Sequence, residues 1–457
     1  MLRNTIRIAS GQGFWGDLPN APAEQVKNGS ADYLVMDYLA EVTMSIMQKQ
    51  RLRNPAFGYA RDFVDVIKEV LPEISQSGLT VISNAGGVNP MACKDAIMQA
   101  AREGGYDTLK VAVVHGDDIL PELDTYLGKG HELFNMETGD SIQTIKDQLL
   151  SANVYFGAKP IVQALETGAD IVITGRVTDT GLTLAPMIYE FGWDMLDADL
   201  MATGTIAGHI IECGGQVSGG NFTDWESVPH LESIGFPVIE AHADGTFYVT
   251  KQPGTGGLVS EMTVKEQLLY EIGDPGSYIT PDGIADFTTI QLSQEGPNRV
   301  KVSGIKGRPA TDTYKISASF TDGYKLFSTL VYCWPDAVKK AQYAADLLKK
   351  RSDRLGLKLD EFRFELIGLN ACDEHPVSHP NPNLTDIPEI QLRIAAKSSS
   401  REDLNRLGKE VAPLILTGPS GVTGFAGGRP KASEIVAYWP ALLEKSAVQP
   451  IVEFFHL

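Results

Sequence analysis

The residues best suited to chemistry follow short apolar segments of the chain. Residues 83–90 (Ser-Asn-Ala-Gly-Gly-Val-Asn-Pro) come directly after the β-branched run at 79–82 and before a helical pattern. A strand that enters a helix through glycines and asparagines brings backbone N–H groups close to a ligand. The residues predicted to bind substrate in this loop are Asn84, Gly86, Gly87 and Asn89.

A second loop, at residues 115–118 (His-Gly-Asp-Asp), carries an acidic cluster. His115 is a candidate general base because its unperturbed pKa is about 6.5, and Asp117 is a candidate acid or base. Asp117 and Asp118 are also candidate ligands of Mg²⁺, which takes one or two protein carboxylates plus water. Two structural interpretations stay open: Asp118 as the cap of the next helix, and His115 as a satisfied histidine at a strand end.

A third loop, at residues 174–179 (Thr-Gly-Arg-Val-Thr-Asp), places a cation beside a carboxylate. Arg176 is predicted to hold a substrate carboxylate or phosphate through two parallel hydrogen bonds. Asp179 is a candidate for proton transfer, and Thr178 is assigned to substrate binding. The alternative is an internal ion pair between Arg176 and Asp179, with Thr178 or Asp179 capping a helix.

The first loop of the chain, at residues 11–17 (Gly-Gln-Gly-Phe-Trp-Gly-Asp), has the glycine spacing of a dinucleotide-binding fingerprint. Asp17 follows at once, however, and an acid at this position repels a pyrophosphate. We therefore interpret Asp17 as a catalytic or substrate-binding acid, with Gly13 contributing to substrate binding. A tight turn in which Trp15 packs is the structural alternative.

A polar triple, His209, Glu212 and Cys213, falls on one face of a glycine-bounded helical segment. Such a triple could hold a soft metal or form a proton relay, but its spacing matches no zinc signature. A thiol nucleophile at Cys213 would need His209 as an activating base. The sequence favours a buried helix over catalysis by Cys213.

Two patterns of secondary structure divide the chain. Over residues 1–220, apolar strands alternate with helices, which predicts an α/β domain with a mostly parallel sheet covered by helices on both faces. The polar loops fall at the carboxyl ends of these strands, where such sheets bind ligands. Over residues 221–457, alternating segments predict a β-rich α+β domain with antiparallel strands, packed against the first.

Composition limits the classes of partner. The net charge of −19 over 457 residues argues against nucleic acid and against an anionic membrane surface. No run of eighteen apolar residues occurs, so no membrane span is expected. The four cysteines are far apart and lack CxxC spacing, which suits a reducing cytoplasm.

Together these loops resemble the acyclic terpene utilisation (AtuA) family, whose name reflects a gene cluster for degrading citronellol- and geraniol-type compounds. The resemblance covers nearly the whole chain and corresponds to the shorter form of the family, without an extra C-terminal domain. It implies a terpenoid catabolic context and makes a small companion subunit plausible. Further segments that carry the resemblance are residues 37–45, 208–214, 253–257 and 267–275.

We expect a cytoplasmic catabolic enzyme acting on a small-molecule acid or acyl-CoA, and a hydratase or dehydratase is the favoured type. Such a lyase needs acid–base groups and donors for an enolate-like charge. The alternatives are a metal-dependent hydrolase or transferase and a non-catalytic subunit with a small partner. We expect a homo-oligomer, and Mg²⁺ is the cofactor that the residues suggest, though none is firmly implied. The acid–base candidates are Asp17, His115, Asp117 and Asp179, and the anion-holding candidates are Arg176 and the amides of residues 84–87.

Overall fold

The computed structural model describes residues 2–27, 31–40, 42–369, 371–372, 384, 387–424 and 428–457. Contacts between residues group the chain into two compact units. The first contains Met1–Ser319 and Tyr438–Leu457, and the second contains Phe320–Ala437. The domain boundary near residue 220 stays a prediction.

The described strands and helices alternate through the first part of the chain and become strand-rich later. The strands are Thr5–Gln12 (β1), Tyr33–Met36 (β2), Thr80–Ser83 (β3), Lys110–His115 (β4), Leu149–Val154 (β5), Ile171–Thr174 (β6), Pro237–His242 (β7), Phe247–Lys251 (β8), Tyr278–Ile279 (β9), Ile284–Asp286 (β10), Gln291–Gly296 (β11), Arg299–Ser303 (β12), Lys306–Arg308 (β13), Thr313–Cys333 (β14), Glu361–Ile367 (β15), Glu389–Ser398 (β16), Val422–Thr423 (β17), Ser433–Glu444 (β18) and Ile451–His456 (β19). The helices are Ala21–Lys27 (α1), Thr43–Arg53 (α2), Asp62–Ser77 (α3), Pro90–Glu103 (α4), Leu123–Gly128 (α5), Lys159–Glu166 (α6), Gly181–Phe191 (α7), Ala198–Ile211 (α8), Glu261–Leu269 (α9), Ala337–Leu355 (α10), Arg401–Val411 (α11) and Leu414–Thr417 (α12).

The main sheet of the first unit has ten strands among the described residues, in the order β11-β12-β8-β7-β1-β2-β3-β6-β4-β19. Its central strands β1, β2, β3, β6 and β4 pair in parallel. The remaining pairs on both sides are antiparallel. The predicted mixed α/β class, with a mostly parallel N-terminal sheet and a β-rich later half, is confirmed. The antiparallel strands β7, β8, β11 and β12 extend this same sheet.

Both faces of the parallel strands are buried, which explains why these segments are apolar throughout. On one face, Leu34 and Ile173 pack in a core with Phe63 and Ile67 of α3. The neighbouring strand residue Val35 points to the opposite face because side chains alternate along a strand, and it is 5% exposed. Helix α7 contacts β1 and β2. Burial on both sides fixes the register of the sheet and the positions of the loops that leave it.

The loops that follow β1, β2, β3, β4 and β6 meet at one edge of the sheet because the strands run in the same direction. Two hydrogen bonds between loops show how close they are. The amide of Tyr38 donates to Oδ1 of Asn84 over 2.7 Å, and the amide of Arg176 donates to Oδ2 of Asp117 over 2.9 Å. The sequence prediction that the polar loops share this edge is confirmed.

The second unit is built on an antiparallel sheet in which β15 pairs with β16 and β16 pairs with β14. Helices α10 and α11 both pack against β16. Their buried leucines Leu348 and Leu404 join a core with Leu330 and Leu392 of the sheet. The candidate site described next lies entirely in the first unit.

Candidate active site

A cavity of about 360 Å³ opens beside the loop that follows β6. Its wall is formed by that loop, by the C-terminal end of α8, by β9 with the turn after it, and by the start of β14. Charged side chains of both signs line the cavity, which is the polar environment that orients a small ligand. The charged lining residues are Arg176, Asp179, His209, Glu212, Glu271 and Lys315.

Arg176 forms the internal ion pair that the alternative interpretation predicts. Its buried guanidinium donates from Nη2 to Oδ1 of Asp179 over 2.9 Å and from Nη1 to the carbonyl oxygen of Leu39 over 2.9 Å. It also lies 4.1 Å from the ring centroid of Tyr155, at cation–π distance. These contacts hold Asp179 at the cavity wall and balance its charge. Substrate binding by Arg176 stays a prediction.

His209 and Glu212 form a hydrogen-bonded pair at the end of α8. Nε2 of His209 lies 3.0 Å from the carbonyl oxygen of Gln267, and Nδ1 lies 3.0 Å from Oε1 of Glu212. A carbonyl oxygen only accepts, so Nε2 carries a proton. The contact between Nδ1 and the carboxyl oxygen then requires a second proton, held as imidazolium on His209 or as the acid on Glu212. The pair therefore shares one proton beside the cavity.

The surroundings shift the pKa values of both His209 and Glu212. Burial raises the pKa of Glu212, and the negative charge of Asp179 raises it further, although the hydrogen bond and charge of His209 act in the opposite direction. Burial alone would lower the pKa of His209, but its hydrogen bond to Glu212 and the charge of that carboxylate raise the pKa overall. Burial also raises the pKa of the Cys213 thiol to about 12, which argues against a thiolate nucleophile.

Gly208 lets α8 approach the loop that carries Asp179. A Cβ at this position would lie 2.6 Å from the backbone oxygen of Thr180. The close approach brings His209 and Glu212 to the cavity wall.

Gly208→Ala is therefore expected to destabilise the protein by about 1–3 kcal/mol, because two backbone segments must separate. Gly128→Ala is the matched control, since its Cβ would meet open space in α5 and alanine favours helix. Thermal unfolding of both variants checks this: Tm should fall for the first and hold or rise for the second. Equal Tm values would contradict the packing role of Gly208.

A lysine lies at the mouth of the cavity. Lys315 is exposed, and its Nζ lies 5.4 Å from the ring centroid of Tyr155 and 5.5 Å from that of Tyr438. Within the described ranges, no carboxylate lies at ion-pair distance from this ammonium. Glu271 and Ile279 are also exposed at the cavity. Lys315 is thus placed to attract an anionic group of a ligand.

Asn84 fastens two loops together. Its side chain is fully buried; Nδ2 donates to Oδ1 of Asp37 over 2.7 Å, and Oδ1 accepts from the amide of Tyr38 over 2.7 Å. Both polar ends of the amide are therefore engaged by the loop that follows β2. Substrate binding by Asn84 stays a prediction.

The rest of the Asn84 loop also makes packing contacts. A Cβ on Gly86 would lie 2.5 Å from the carbonyl oxygen of Thr174, so the absence of a side chain lets two loops touch. Gly87 has a φ of +51°, in the left-handed region that glycine favours. The side-chain amide of Asn89 donates to two backbone carbonyl oxygens. These contacts shape the edge of the sheet. Gly86, Gly87 and Asn89 are not among the residues that line the cavity.

Asp117 is a buried carboxylate held by protein donors. Its Oδ2 accepts from Nδ2 of Asn153 over 2.8 Å and from the amide of Arg176 over 2.9 Å. Burial raises the pKa of Asp117 to about 6. The residue fixes the start of the loop that carries Arg176.

The raised pKa of Asp117 predicts a dependence of stability on pH. The folded protein holds this proton more tightly than the unfolded chain, so the stabilisation is present below the unfolded pKa and is lost as pH rises through about 6. Between pH about 4 and about 6, the unfolding free energy of the wild type should fall by about 2 kcal/mol relative to Asp117→Asn. Urea unfolding at several pH values checks this, with exposed Asp107→Asn as a control that should track the wild type.

The neighbouring residues of this loop also have protein partners. Asp118 accepts from the amide of Leu120 over 3.2 Å, which is the capping type of contact, and Oδ2 lies 4.0 Å from Nη1 of Arg51. Nε2 of His115 lies 2.8 Å from Oε1 of Glu453. Among the described residues, no group of three or more His, Cys, Asp and Glu side chains is arranged to hold a metal ion. The catalytic and metal-binding roles of this loop stay predictions.

Asp17 closes its own loop. Its Oδ2 accepts from the amide of Gly13 over 3.0 Å, and its Oδ1 accepts from the amide of Leu18 over 2.8 Å. Trp15 is tied down by a 2.8 Å hydrogen bond from Nε1 to Asp62. The geometry matches the tight turn of the alternative interpretation, and the catalytic role of Asp17 and the substrate-binding role of Gly13 stay predictions.

Of the predicted site residues, Arg176, Thr178 and Asp179 line the cavity. Sequence reasoning placed His209 and Glu212 on one helical face, and their three-residue spacing was the signal that could have assigned them to the site. No pattern pointed to Tyr155 or Lys315, because tertiary contacts alone bring these residues to the cavity.

Comparison with known proteins places the chain in a family. Residues 6–454 match the acyclic terpene utilisation family protein AtuA, and the chain therefore belongs to this family. No curated protein and no solved structure matches the chain. None of the helices in the described ranges is long and apolar enough to cross a membrane.

Proposed function

From its membership of the AtuA family, which suggests a role in acyclic terpene utilisation, we propose that this protein is a hydro-lyase. It would add water to, or remove water from, a carboxylate or acyl-thioester intermediate of terpene breakdown. The observation that carries the proposal is the 3.0 Å contact between Nδ1 of His209 and Oε1 of Glu212, beside a cavity that Asp179 also lines. Two carboxyl groups in different environments are the arrangement that separates an acid from a base.

Hydration of an α,β-unsaturated thioester needs one group to take a proton from water and another to deliver a proton to carbon. We assign the first task to Asp179, whose charge Arg176 balances, and the second to Glu212. The oxygen of water bonds to the β-carbon, the π electron pair moves to the α-carbon, and that carbon takes the proton from Glu212. The proton on Asp179 returns to the His209–Glu212 pair through solvent, and dehydration is the reverse sequence.

The exposed Lys315 ammonium supports an anionic substrate, since it can attract a carboxylate or a phosphate of coenzyme A. We propose a cytoplasmic location, which the free cysteines Cys93, Cys213, Cys333 and Cys372 support. A homo-oligomer and a small companion subunit stay proposals.

The test is incubation of the purified full-length protein with geranyl-CoA, an α,β-unsaturated thioester of an acyclic terpenoid acid. We expect loss of the enoyl-thioester absorbance and formation of the 3-hydroxy product by mass spectrometry. Elemental analysis of the same sample, and assays with and without added Mg²⁺, test the metal-dependent alternative. Release of free coenzyme A without hydration would contradict the proposal and favour a thioester hydrolase.

A further inference from the structure

We propose that Tyr155 is a further catalytic residue of this site. Its hydroxyl, together with those of Thr178 and Thr180, would donate hydrogen bonds to the carbonyl oxygen of the substrate, where negative charge develops. This inference rests on the proposed function and adds the class of atom that the cavity binds: the carbonyl oxygen of a thioester or carboxylate.

The first support is that three of the residues that line the cavity carry a buried hydroxyl oxygen. Tyr155, Thr178 and Thr180 line the cavity, and none of the three hydroxyl oxygens has a hydrogen-bond partner among the described residues. Tyr155 is 7% exposed and Thr180 is 2% exposed. A buried polar atom without a partner destabilises a folded protein. Three such atoms in residues that line one cavity therefore support a ligand that accepts hydrogen bonds there.

The second support is a rigid position for the tyrosine. Its amide donates to the carbonyl oxygen of Lys315 over 2.9 Å. The next residue, Phe156, accepts from the amide of Thr178 over 2.8 Å. The chain segments that carry Tyr155, Thr178 and Lys315 are thus joined through their backbones. Stabilisation of an oxyanion requires donors that are already in position before the reaction. Donors held in this way do not have to reorganise, at a cost in free energy, when the negative charge develops.

The third support is the charge around the phenol ring. The guanidinium of Arg176 lies 4.1 Å and the ammonium of Lys315 lies 5.4 Å from the ring centroid. Cations over an aromatic ring draw on its electron density, which strengthens the hydroxyl as a donor. Burial raises the pKa of Tyr155 to about 12 although the charge of Arg176 lowers it, so the hydroxyl keeps its proton at neutral pH.

The first test is Tyr155→Phe, which removes the hydroxyl and keeps the ring over which both cations lie. We expect kcat for hydration of geranyl-CoA to fall about 10²- to 10³-fold, the usual effect of losing one oxyanion donor. Tm should hold or rise, because the lost hydroxyl has no protein partner among the described residues. The matched control is Tyr314→Phe, in a half-buried tyrosine that packs on Phe156 away from the cavity lining, and it should keep wild-type turnover.

A second test does not depend on turnover. Acetoacetyl-CoA carries an acidic α-carbon, and its enolate absorbs in the near ultraviolet. The wild-type site should raise the enolate absorbance on binding, and Tyr155→Phe should reduce it.

Turnover and enolate absorbance together distinguish the proposed hydration from the proposed role of Tyr155. If the wild type does not hydrate geranyl-CoA but raises the enolate signal, and Tyr155→Phe loses that signal, the proposed hydration fails and the role of Tyr155 stands. If Tyr155→Phe keeps both turnover and the enolate signal of the wild type, the role of Tyr155 is overturned. If the wild type gives neither turnover nor an enolate signal, both proposals are overturned.

Discussion

Glu212→Gln is expected to lower kcat for hydration of geranyl-CoA by about 10²- to 10⁴-fold, the usual contribution of a general acid or base. Glutamine keeps the size of the side chain and can still contact Nδ1 of His209, but it cannot give up the shared proton. KM should change little, because the substitution leaves the cation at the mouth of the cavity in place. Steady-state kinetics on the purified variant measure both constants.

The matched control is Glu166→Gln, which removes an exposed carboxylate at the end of α6. It should turn over at the wild-type rate. If Glu212→Gln also kept the wild-type kcat, the proton-transfer role of Glu212 would be wrong, and Asp179 would be the next acid to test in this cavity.

Asn84→Ala is expected to destabilise the protein by about 3–5 kcal/mol. The substitution leaves the buried carboxylate of Asp37 without one of its donors and the amide of Tyr38 without its acceptor. Burial already raises the pKa of Asp37 despite the opposing charge of Arg176, so a lost donor is costly there. Since the free energy of unfolding of folded proteins is typically about 5–15 kcal/mol, a loss of this size should be measurable by urea unfolding.

The matched control for this substitution is Asn20→Ala. Asn20 is exposed and donates to Glu24 on the surface, so its loss should change stability by less than about 0.5 kcal/mol. The two roles considered for Asn84 give opposite results. A residue that only binds substrate would raise KM and leave the unfolding curve unchanged, and that outcome would contradict the fastening role described here.

The fold was predictable because its signals are local. Buried parallel strands read as apolar runs, as in 171–174, and polar residues follow each of them directly. Parallel strands then bring those residues to a common edge without further information. The pairing of β7 with β1 was not predictable. An alternation of apolar and polar residues indicates a strand, but it does not indicate which sheet the strand joins.

The candidate site was only partly predictable, because polar residues at strand ends have two uses. Asn84 and Asp117 resemble ligand-binding groups in sequence, yet in the structure both satisfy buried backbone amides. Arg176 resembles an anion clamp, yet it binds Asp179 and a carbonyl oxygen. Which use a residue has depends on the loop that folds against it. Sequence spacing does not contain that information.

Residues far apart in the chain pose a second difficulty for prediction from sequence. Helical periodicity placed His209 and Glu212 on one face, but not beside Asp179. That neighbourhood depends on a glycine at 208, which lets α8 touch the backbone of Thr180. Tyr155 reaches the cavity from the end of β5, through backbone bonds to β14.

The most direct test of hydration at this cavity is to incubate geranyl-CoA with the wild-type protein in ¹⁸O-labelled water and locate the label by mass spectrometry. We expect ¹⁸O in the hydroxyl group on the β-carbon of an intact thioester, and incorporation about 10²- to 10⁴-fold slower with Glu212→Gln. Label in the carboxyl group of free geranic acid, with the carbon–carbon double bond intact, would contradict the proposed hydration.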